Sequence, residues 1–158
     1  MANTQSMCTS FMGELMTATH NFGTAPTRGT SAADAFKAAL YLTSATVNAA
    51  TTAYSASNEV SGTGYSAGGV AVTIANPPTA TNSSATAGVA FFTPSASITY
   101  TSVTLSTAFD AVLIYNSTQS NKAVSVHTFG SQTITAGTFT LTMPVDNTST
   151  ALLRLSTT

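Results

Sequence analysis

Hydrophobic residues near the start of the chain recur at the spacing of an α-helix. Between residues 4 and 22, apolar side chains fall three or four positions apart, which places them on one helical face. Thr9 or Ser10 is suited to cap the start of this helix, and Gly23 is suited to end it. The sequence therefore predicts a helix over residues 4–22, with an apolar stripe formed by Met7, Phe11, Met12, Leu15, Met16, Ala18 and Phe22.

From residue 35 onward the period of the pattern changes to two. Residues 36–42 read FKAALYL, and this alternation is typical of a half-buried strand. Clusters of Gly, Pro, Asn and Ser separate further apolar runs and predict turns. The other predicted strands are residues 51–56, 69–75, 88–93, 96–105, 109–116, 122–129, 132–135, 138–143 and 150–156.

Many short strands without intervening helices are typical of a β-sandwich or jelly roll. A parallel α/β sheet is excluded because the pattern contains no crossover helices. We therefore expect a mainly β protein, with an N-terminal arm and helix in residues 1–24 and an antiparallel β-sandwich or jelly-roll-like domain in residues 25–158. Residues 76–88 are expected to form a long loop. The expected core consists of Phe36, Leu40, Val72, Ile74, Leu113, Tyr115, Val124, Val126, Phe139, Leu141 and Leu153.

Charge is scarce in this sequence. Charged residues make up 6% of the chain, against about 25% in typical soluble domains. A surface of Thr, Ser, Ala and Gly lacks the charges that keep monomers apart in solution. This composition indicates a protein that works in contact with neighbouring subunits, and a Thr-rich secreted domain is the alternative.

The few charges also bear on partners and location. A net charge of −1 gives no basic surface for nucleic acid or anionic lipid. Cys8 is the single cysteine, so an intramolecular disulfide is excluded. No apolar run is long enough to span a membrane, and no basic segment precedes an apolar run as in a signal peptide. We expect synthesis in a cytoplasm, without membrane or nucleic-acid partners.

One motif suggests catalysis. Residues 64–68 match the G-x-S-x-G pattern around a nucleophilic serine, and Asp110 and His127 follow Ser66 in the order found in α/β-hydrolases. That mechanism requires a helix directly after the serine, whereas residues 70–74 predict a strand. We therefore expect no enzymatic activity.

The remaining reactive side chains indicate neither a metal nor a cofactor. His20 and His127 are too few for a metal cluster, and no carboxylate lies at ligand spacing from either. Cys8 has no basic neighbour in sequence to lower its thiol pKa. It is expected to be a small buried hydrophobe.

Several stretches resemble a family of small bacteriophage virion structural proteins. They are MANTQ at 1–5, CTSF at 8–11, FKAALY at 36–41, EVSGTGYSAGG at 59–69, LIYN at 113–116, NKAV at 121–124 and FTLTMP at 139–144. The resemblance implies a non-catalytic role in a virion. The leading expectation is a capsid decoration or cement protein, forming a homo-oligomer and binding the major capsid protein or other virion subunits. A tail or fibre component is the alternative, and a bacterial carbohydrate-binding module is a third class.

The N-terminal helix is the candidate partner interface. Its stripe concentrates Met and Phe in a chain otherwise rich in Thr, and a helix of about 15 residues is marginal alone in water. Something must therefore cover the stripe, either a neighbouring subunit or the chain's own sheet. The residues assigned to this interface are Met7, Phe11, Met12, Leu15, Met16 and Phe22.

Overall fold

The protein is mainly β, as the sequence predicts. The computed structural model describes residues 2–16, 18–23, 33–81 and 88–156, without the side chains of residues 12, 13 and 16. In chain order the elements are β1 (Ser6–Met7), α1 (Thr9–Met16), β2 (Phe36–Leu42), β3 (Val70–Val72), β4 (Thr79–Thr81), β5 (Val89–Phe92), β6 (Ile98–Asn116), β7 (Lys122–Leu141) and β8 (Leu153–Ser156).

These strands form two antiparallel sheets. The larger sheet has the order β1-β7-β6-β2-β3 and the smaller has the order β4-β5-β8. Every strand pair in the described part of the chain is antiparallel. The arrangement agrees with the expected β-sandwich-like fold.

A long hairpin dominates the larger sheet. Its strands β6 and β7 contain 19 and 20 residues, where the sequence predicts five shorter strands. The predicted break at Ala136 and Gly137 does not end β7, because Ala136 takes a left-handed conformation with φ of 46° inside the strand. The register of the pair shifts on both sides of Val103, opposite this point. The Ala136-Gly137 pair, which the sequence predicts to be a turn, therefore lies at a β-bulge within β7.

A second bulge lies nearer the middle of β7. Phe109 pairs with Gln132 and Ala111 pairs with Thr128, so three residues of β7 lie opposite one residue of β6. Beyond these bulged positions, β1 pairs only with Ser125 and Val126 on the outer edge of β7. No other strand of the described chain pairs with that edge.

One face of the larger sheet is covered by aromatic side chains. Phe36 of β2 stacks on Phe22, with ring centroids 4.4 Å apart. Phe22 in turn contacts Phe92 of β5 at 5.1 Å and Phe11 of α1 at 5.9 Å. Phe22 therefore joins the helix, the larger sheet and the smaller sheet in one core.

The other face of the larger sheet is covered by the connection between β2 and β3. Tyr54 from this connection stacks on Tyr115 of β6 at 4.8 Å, and the Tyr41 hydroxyl donates to the Ser55 carbonyl. Coverage on both sides explains why four consecutive residues of β2, 38–41, are buried. The prediction that this strand is half-buried was wrong in its centre.

The helix is shorter than the predicted span of 4–22. Its start is set by tertiary hydrogen bonds, since the Cys8 amide donates to Val124 O at 3.0 Å and the Thr9 amide donates to Ala49 O at 2.9 Å. Its end is a Schellman motif: Ala18 has φ of 54°, its amide donates to Leu15 O, and the Thr19 amide donates to Glu14 O. The helix therefore ends well before Gly23.

Two other predictions have specific outcomes. Residues 51–56 do not form a strand, and only Ala53 makes an isolated bridge, with Lys122. Of the predicted long loop 76–88, residues 79–81 form β4 and residues 82–87 lie outside the described residues.

The predicted core is largely confirmed. Seven of its members are buried, namely Phe36, Leu40, Val72, Leu113, Tyr115, Val124 and Val126. The other four, Ile74, Phe139, Leu141 and Leu153, are partly buried and pack against that core.

Candidate functional site

The residues of the G-x-S-x-G motif form a turn that leads into a strand. The Gly69 amide donates to the Ser66 carbonyl at 3.0 Å, and β3 begins at Val70. The side chain of Ser66 is exposed. The nucleophile elbow of a hydrolase requires a helix at this point, so the local structure differs from that arrangement.

The glycines of this segment have a packing role. A Cβ atom at Gly69 would lie 1.7 Å from Ala38 O, and φ at Gly69 is +70°. A Cβ atom at Gly64, where φ is +77°, would lie 2.4 Å from Ser102 O. The glycines therefore allow this segment to lie directly on the backbones of β2 and β6.

The two other residues of the suggested triad have separate partners. Asp110 Oδ1 accepts a hydrogen bond from the Asn3 side-chain amide at 2.6 Å, and His127 Nε2 lies 2.9 Å from Ser125 Oγ. Burial lowers the pKa of His127 to about 4. Ser125 is itself buried, and it borders, together with His127, an opening between β1, β7 and β8.

A buried carboxylate organises the connection between β2 and β3. Glu59 Oε1 accepts hydrogen bonds from the Tyr65 hydroxyl at 2.7 Å and the Gly68 amide at 2.8 Å. Glu59 Oε2 accepts one from the Tyr54 hydroxyl at 2.6 Å. Burial and these bonds to Glu59 raise the pKa of both tyrosines. The Tyr65 hydroxyl oxygen also accepts a hydrogen bond from the Leu40 amide at 3.0 Å. This bond attaches the connection to β2.

A second polar network joins the helix to the hairpin. Glu14 of α1 binds Lys122 Nζ at 2.5 Å and His20 Nε2 at 2.7 Å. The side-chain amide nitrogen of Asn116, which is fully buried, lies 3.1 Å from His20 Nδ1 and donates to Asp34 Oδ2 at 2.8 Å. The network therefore runs from Lys122 through Glu14, His20 and Asn116 to Asp34.

The electrostatics of this network favour a neutral His20 and an ionised Glu14. Burial lowers the pKa of His20 and outweighs the opposing influence of Glu14. Burial alone would raise the pKa of Glu14, but its hydrogen bonds and charge interactions with Lys122 and His20 lower it. These side chains hold α1 against the β6–β7 hairpin, and each of them has a hydrogen-bond partner within the protein.

Sequence reasoning missed both polar networks. Asn116 and His20 lie 96 positions apart, so no local pattern connects them. Glu59 gave a weak signal, because it is a lone acidic residue between Tyr54 and Tyr65 in a stretch without other charges.

Cys8 is fully buried, in agreement with the expected structural role. Burial raises the pKa of its thiol to about 11, so the reactive thiolate is disfavoured.

An apolar cleft of about 100 Å³ opens between α1 and the smaller sheet. Four residues of the predicted partner interface line it, namely Met7, Phe11, Leu15 and Phe22. The remaining lining residues, which the sequence did not indicate, are Pro78, Ala90, Phe91, Phe92, Leu153 and Leu155.

The predicted interface residues differ in their availability. Phe11 and Phe22 are 2% and 8% exposed, so the chain's own core already covers them. Met7 and Leu15 are partly buried at the cleft, and their contact with a partner stays a prediction. The side chains of Met12 and Met16 lie outside the described residues.

Comparison with known proteins gives no match. Among the described residues, no helix is long and apolar enough to cross a membrane. Those same residues contain no cluster of His, Cys, Asp and Glu side chains that could hold a metal ion. No family model, curated protein or solved structure matches the chain.

Proposed function

We propose that the chain is a non-enzymatic structural protein of a bacteriophage particle, a decoration or cement protein that binds the outside of the head shell. Its partners are the major capsid protein or other virion subunits and further copies of itself. It is made in the host bacterial cytoplasm and resides in the virion. The family resemblance noted in the sequence is the starting point of this proposal.

One structural observation carries the proposal. Apart from the exposed Ser66, the candidate reactive side chains make internal contacts: His20, Glu14 and Asp34 in one network, Glu59 in another, Asp110 with Asn3, His127 with Ser125, and Cys8 in the core. One cleft on the described surface has a wholly apolar lining, beside other openings whose linings include polar side chains. Such a surface favours association by apolar burial.

The scarcity of charge supports the same role. Association removes surface groups from water, and charged groups lose the most free energy in that step unless they find partners. A surface composed largely of Thr, Ser, Ala and Gly can be covered by neighbouring subunits with few such losses. This property suits a protein that spends its working life packed in a particle.

A decoration protein would act through differential binding. It binds a site that exists on the assembled shell and is absent from free subunits, and mass action then stabilises the shell. At a free concentration of 100 times Kd, this stabilisation amounts to about 2.7 kcal/mol for each site.

The experiment is a binding assay on particles that lack the chain. Purified protein is mixed with such particles and, in parallel, with unassembled shell subunits, and each mixture is sedimented. We expect saturable co-sedimentation with particles, at a stoichiometry comparable to that of the shell subunit, and none with free subunits. Ovalbumin serves as the control for trapping in the pellet.

Two results would redirect the proposal. Saturation at a small fraction of the shell subunit count, with density at the tail in electron micrographs, would support the tail or fibre alternative. No binding to any particle would refute the virion role.

A further inference from the structure

A polar opening lies between β1, at the edge of the larger sheet, and β8, at the edge of the smaller sheet. Leu153 and Leu155 line the apolar cleft, and alternation along β8 directs Arg154 to the opposite face. There Arg154 borders an opening of about 400 Å³, together with β1 and Ser125 to His127 of β7. Binding sites for small molecules begin at about 300 Å³, so the opening is large enough for a ligand of the size of a sugar.

The charge at this opening is positive. The described residues that line it include no Asp or Glu. The guanidinium of Arg154 makes no ion pair within the described part of the chain, and its Nη1 donates to the neutral Thr148 carbonyl at 3.1 Å. Since a guanidinium carries five N–H donors, most of them are available to an anionic group.

Ser125 and His127 supply a further donor deeper in the opening. They lie two positions apart on β7, so their side chains share a face, and Ser125 Oγ lies 2.9 Å from His127 Nε2. A neutral imidazole has one N–H group. If Nε2 carries the proton, it donates to Oγ and the Ser125 hydroxyl can donate to a ligand. If Nδ1 carries the proton, Ser125 donates to Nε2 and Nδ1 can donate to a ligand. The pair therefore keeps one donor in either tautomer.

The rest of the lining suits the remainder of a small polar molecule. Gln5, which is exposed, adds a side-chain amide, and Met7 and Leu152 add apolar surface. One cation, a few neutral donors and some apolar contact together match a hydroxylated molecule that carries one oxyanion.

We propose that this opening binds a sugar-sized oxyanion, meaning a hydroxylated molecule with one carboxylate or phosphate group. Its anionic oxygens accept hydrogen bonds from the Arg154 guanidinium, and one of its hydroxyl oxygens accepts a hydrogen bond from the Ser125–His127 pair. Acidic sugars and sugar phosphates both have this chemistry. The inference adds a ligand site to the proposed structural role and does not depend on that role.

The experiment is an NMR titration of the full, ¹⁵N-labelled chain with D-glucuronate and, separately, with glucose 6-phosphate. We expect saturable shifts at the backbone amides of Ser6, Ser125, His127 and Arg154, with a Kd on the order of 1 mM for so small a ligand. The tighter of the two ligands identifies the preferred anionic group. Glucose has the hydroxyls without the charge and should bind at least about tenfold more weakly.

Arg154→Gln tests the role of the cation. This variant should raise the Kd of the preferred ligand at least about tenfold, because the charge-assisted hydrogen bonds are lost. Lys37→Gln is the matched control, since it removes one positive charge from β2, outside the opening. Its Kd should equal that of the wild type.

Gln5→Glu gives an independent test by adding a negative charge at the opening. The variant should also raise the Kd, through repulsion of the anionic ligand. Gln132→Glu makes the same change at an exposed position outside the opening and should bind normally. The dispersion of the amide signals shows in each case that the variant is folded.

Four outcomes would overturn the inference. They are an absence of saturable shifts with both charged sugars, shifts that cluster away from the opening, glucose binding as tight as that of the charged sugars, and a folded Arg154→Gln variant with unchanged Kd. An equal loss of affinity in Arg154→Gln and Lys37→Gln would also overturn it, because the effect would then reflect net charge alone.

Discussion

Gly69 illustrates how one residue can matter for packing while its neighbour resembles a catalytic group. Its position against Ala38 O, with φ of +70°, admits no side chain. Ser66, three positions earlier, is exposed and contributes a backbone carbonyl to the turn.

We therefore expect Gly69→Ala to lower the free energy of unfolding by at least about 2 kcal/mol, through the left-handed conformation and the close approach together. Ser66→Ala should change it by no more than about 0.5 kcal/mol, as an exposed substitution. Urea denaturation of both variants gives the comparison. Equal stability of the two variants would contradict the packing role.

Ala18 holds a conformation that glycine adopts more readily. Its φ of 54° closes the Schellman motif after α1, and this conformation disfavours any residue with a Cβ atom. Ala18→Gly should raise the free energy of unfolding by about 0.5–1 kcal/mol. Thr19→Gly is the control and should be destabilising, since Thr19 lacks a positive φ. Thermal unfolding distinguishes the two, and a destabilised Ala18→Gly would contradict this account of the helix end.

His127 should make stability depend on pH. Burial lowers its pKa from 6.5 to about 4, so between these values the unfolded chain binds a proton that the folded chain does not. The free energy of unfolding should therefore fall as the pH drops from 6.5 towards 4, and His127 should contribute no slope above that window. His20, whose pKa is also lowered, acts in the same direction.

His127→Gln should reduce this slope, whatever its effect on stability at neutral pH. Urea denaturation at several pH values between about 7 and 4.5 measures it. Parallel pH profiles for the wild type and the variant would show that His127 does not titrate as described.

The N-terminal segment is built into the core. β1 pairs with β7, and Cys8, Phe11 and Phe22 are at most 8% exposed. Removal of one buried Phe side chain costs about 3–5 kcal/mol, which is comparable to the total stability of many domains. Deletion of residues 1–24 should therefore unfold the protein.

Circular dichroism of the truncated chain tests this expectation. A control that lacks only residues 1 and 2 should fold, because Asn3, with its hydrogen bonds to Leu42, Asp110 and Val47, is retained. A truncated 25–158 chain with a cooperative β-sheet transition would instead support a separable arm.

The strands were more predictable than the helix. Alternation over residues 36–42 identified β2 with its bounds, because successive side chains of any strand point to opposite faces of the sheet. The helical stripe predicted too long a helix because Met7 lies in β1 and is partly buried, whereas Phe22 is buried by aromatic stacking, and both residues fall at helical spacing.

Part of the candidate site was also predictable from the sequence. Met7, Phe11, Leu15 and Phe22 were singled out as apolar residues that need cover, and they line the cleft. The cleft residues on β5 and β8 come from distant parts of the chain. An apolar stripe indicates that some surface must cover it, but the stripe does not identify that surface.

The molecule as a whole has one continuous core. Phe22 contacts α1, β2 and β5 residues, and the five tyrosines pack on or against the larger sheet. We expect a single cooperative unfolding transition. Tyrosine fluorescence, which reports mainly on the larger sheet, should give the same midpoint as far-ultraviolet circular dichroism. Separate midpoints would show that the two sheets unfold independently.

The bulges of β7 near Gly130 and Ala136 have a consequence for solubility at high concentration. From His127 to Leu141 this strand contains no Lys, Arg, Asp, Glu or Pro, the residues with which proteins commonly prevent edge-to-edge stacking. Its backbone departs from a straight ladder near Gly130 and again at Ala136, so a straight incoming strand finds only short matching runs of donors and acceptors. Geometry thus replaces charge as the safeguard against fibril growth in a chain that has almost no charge to use.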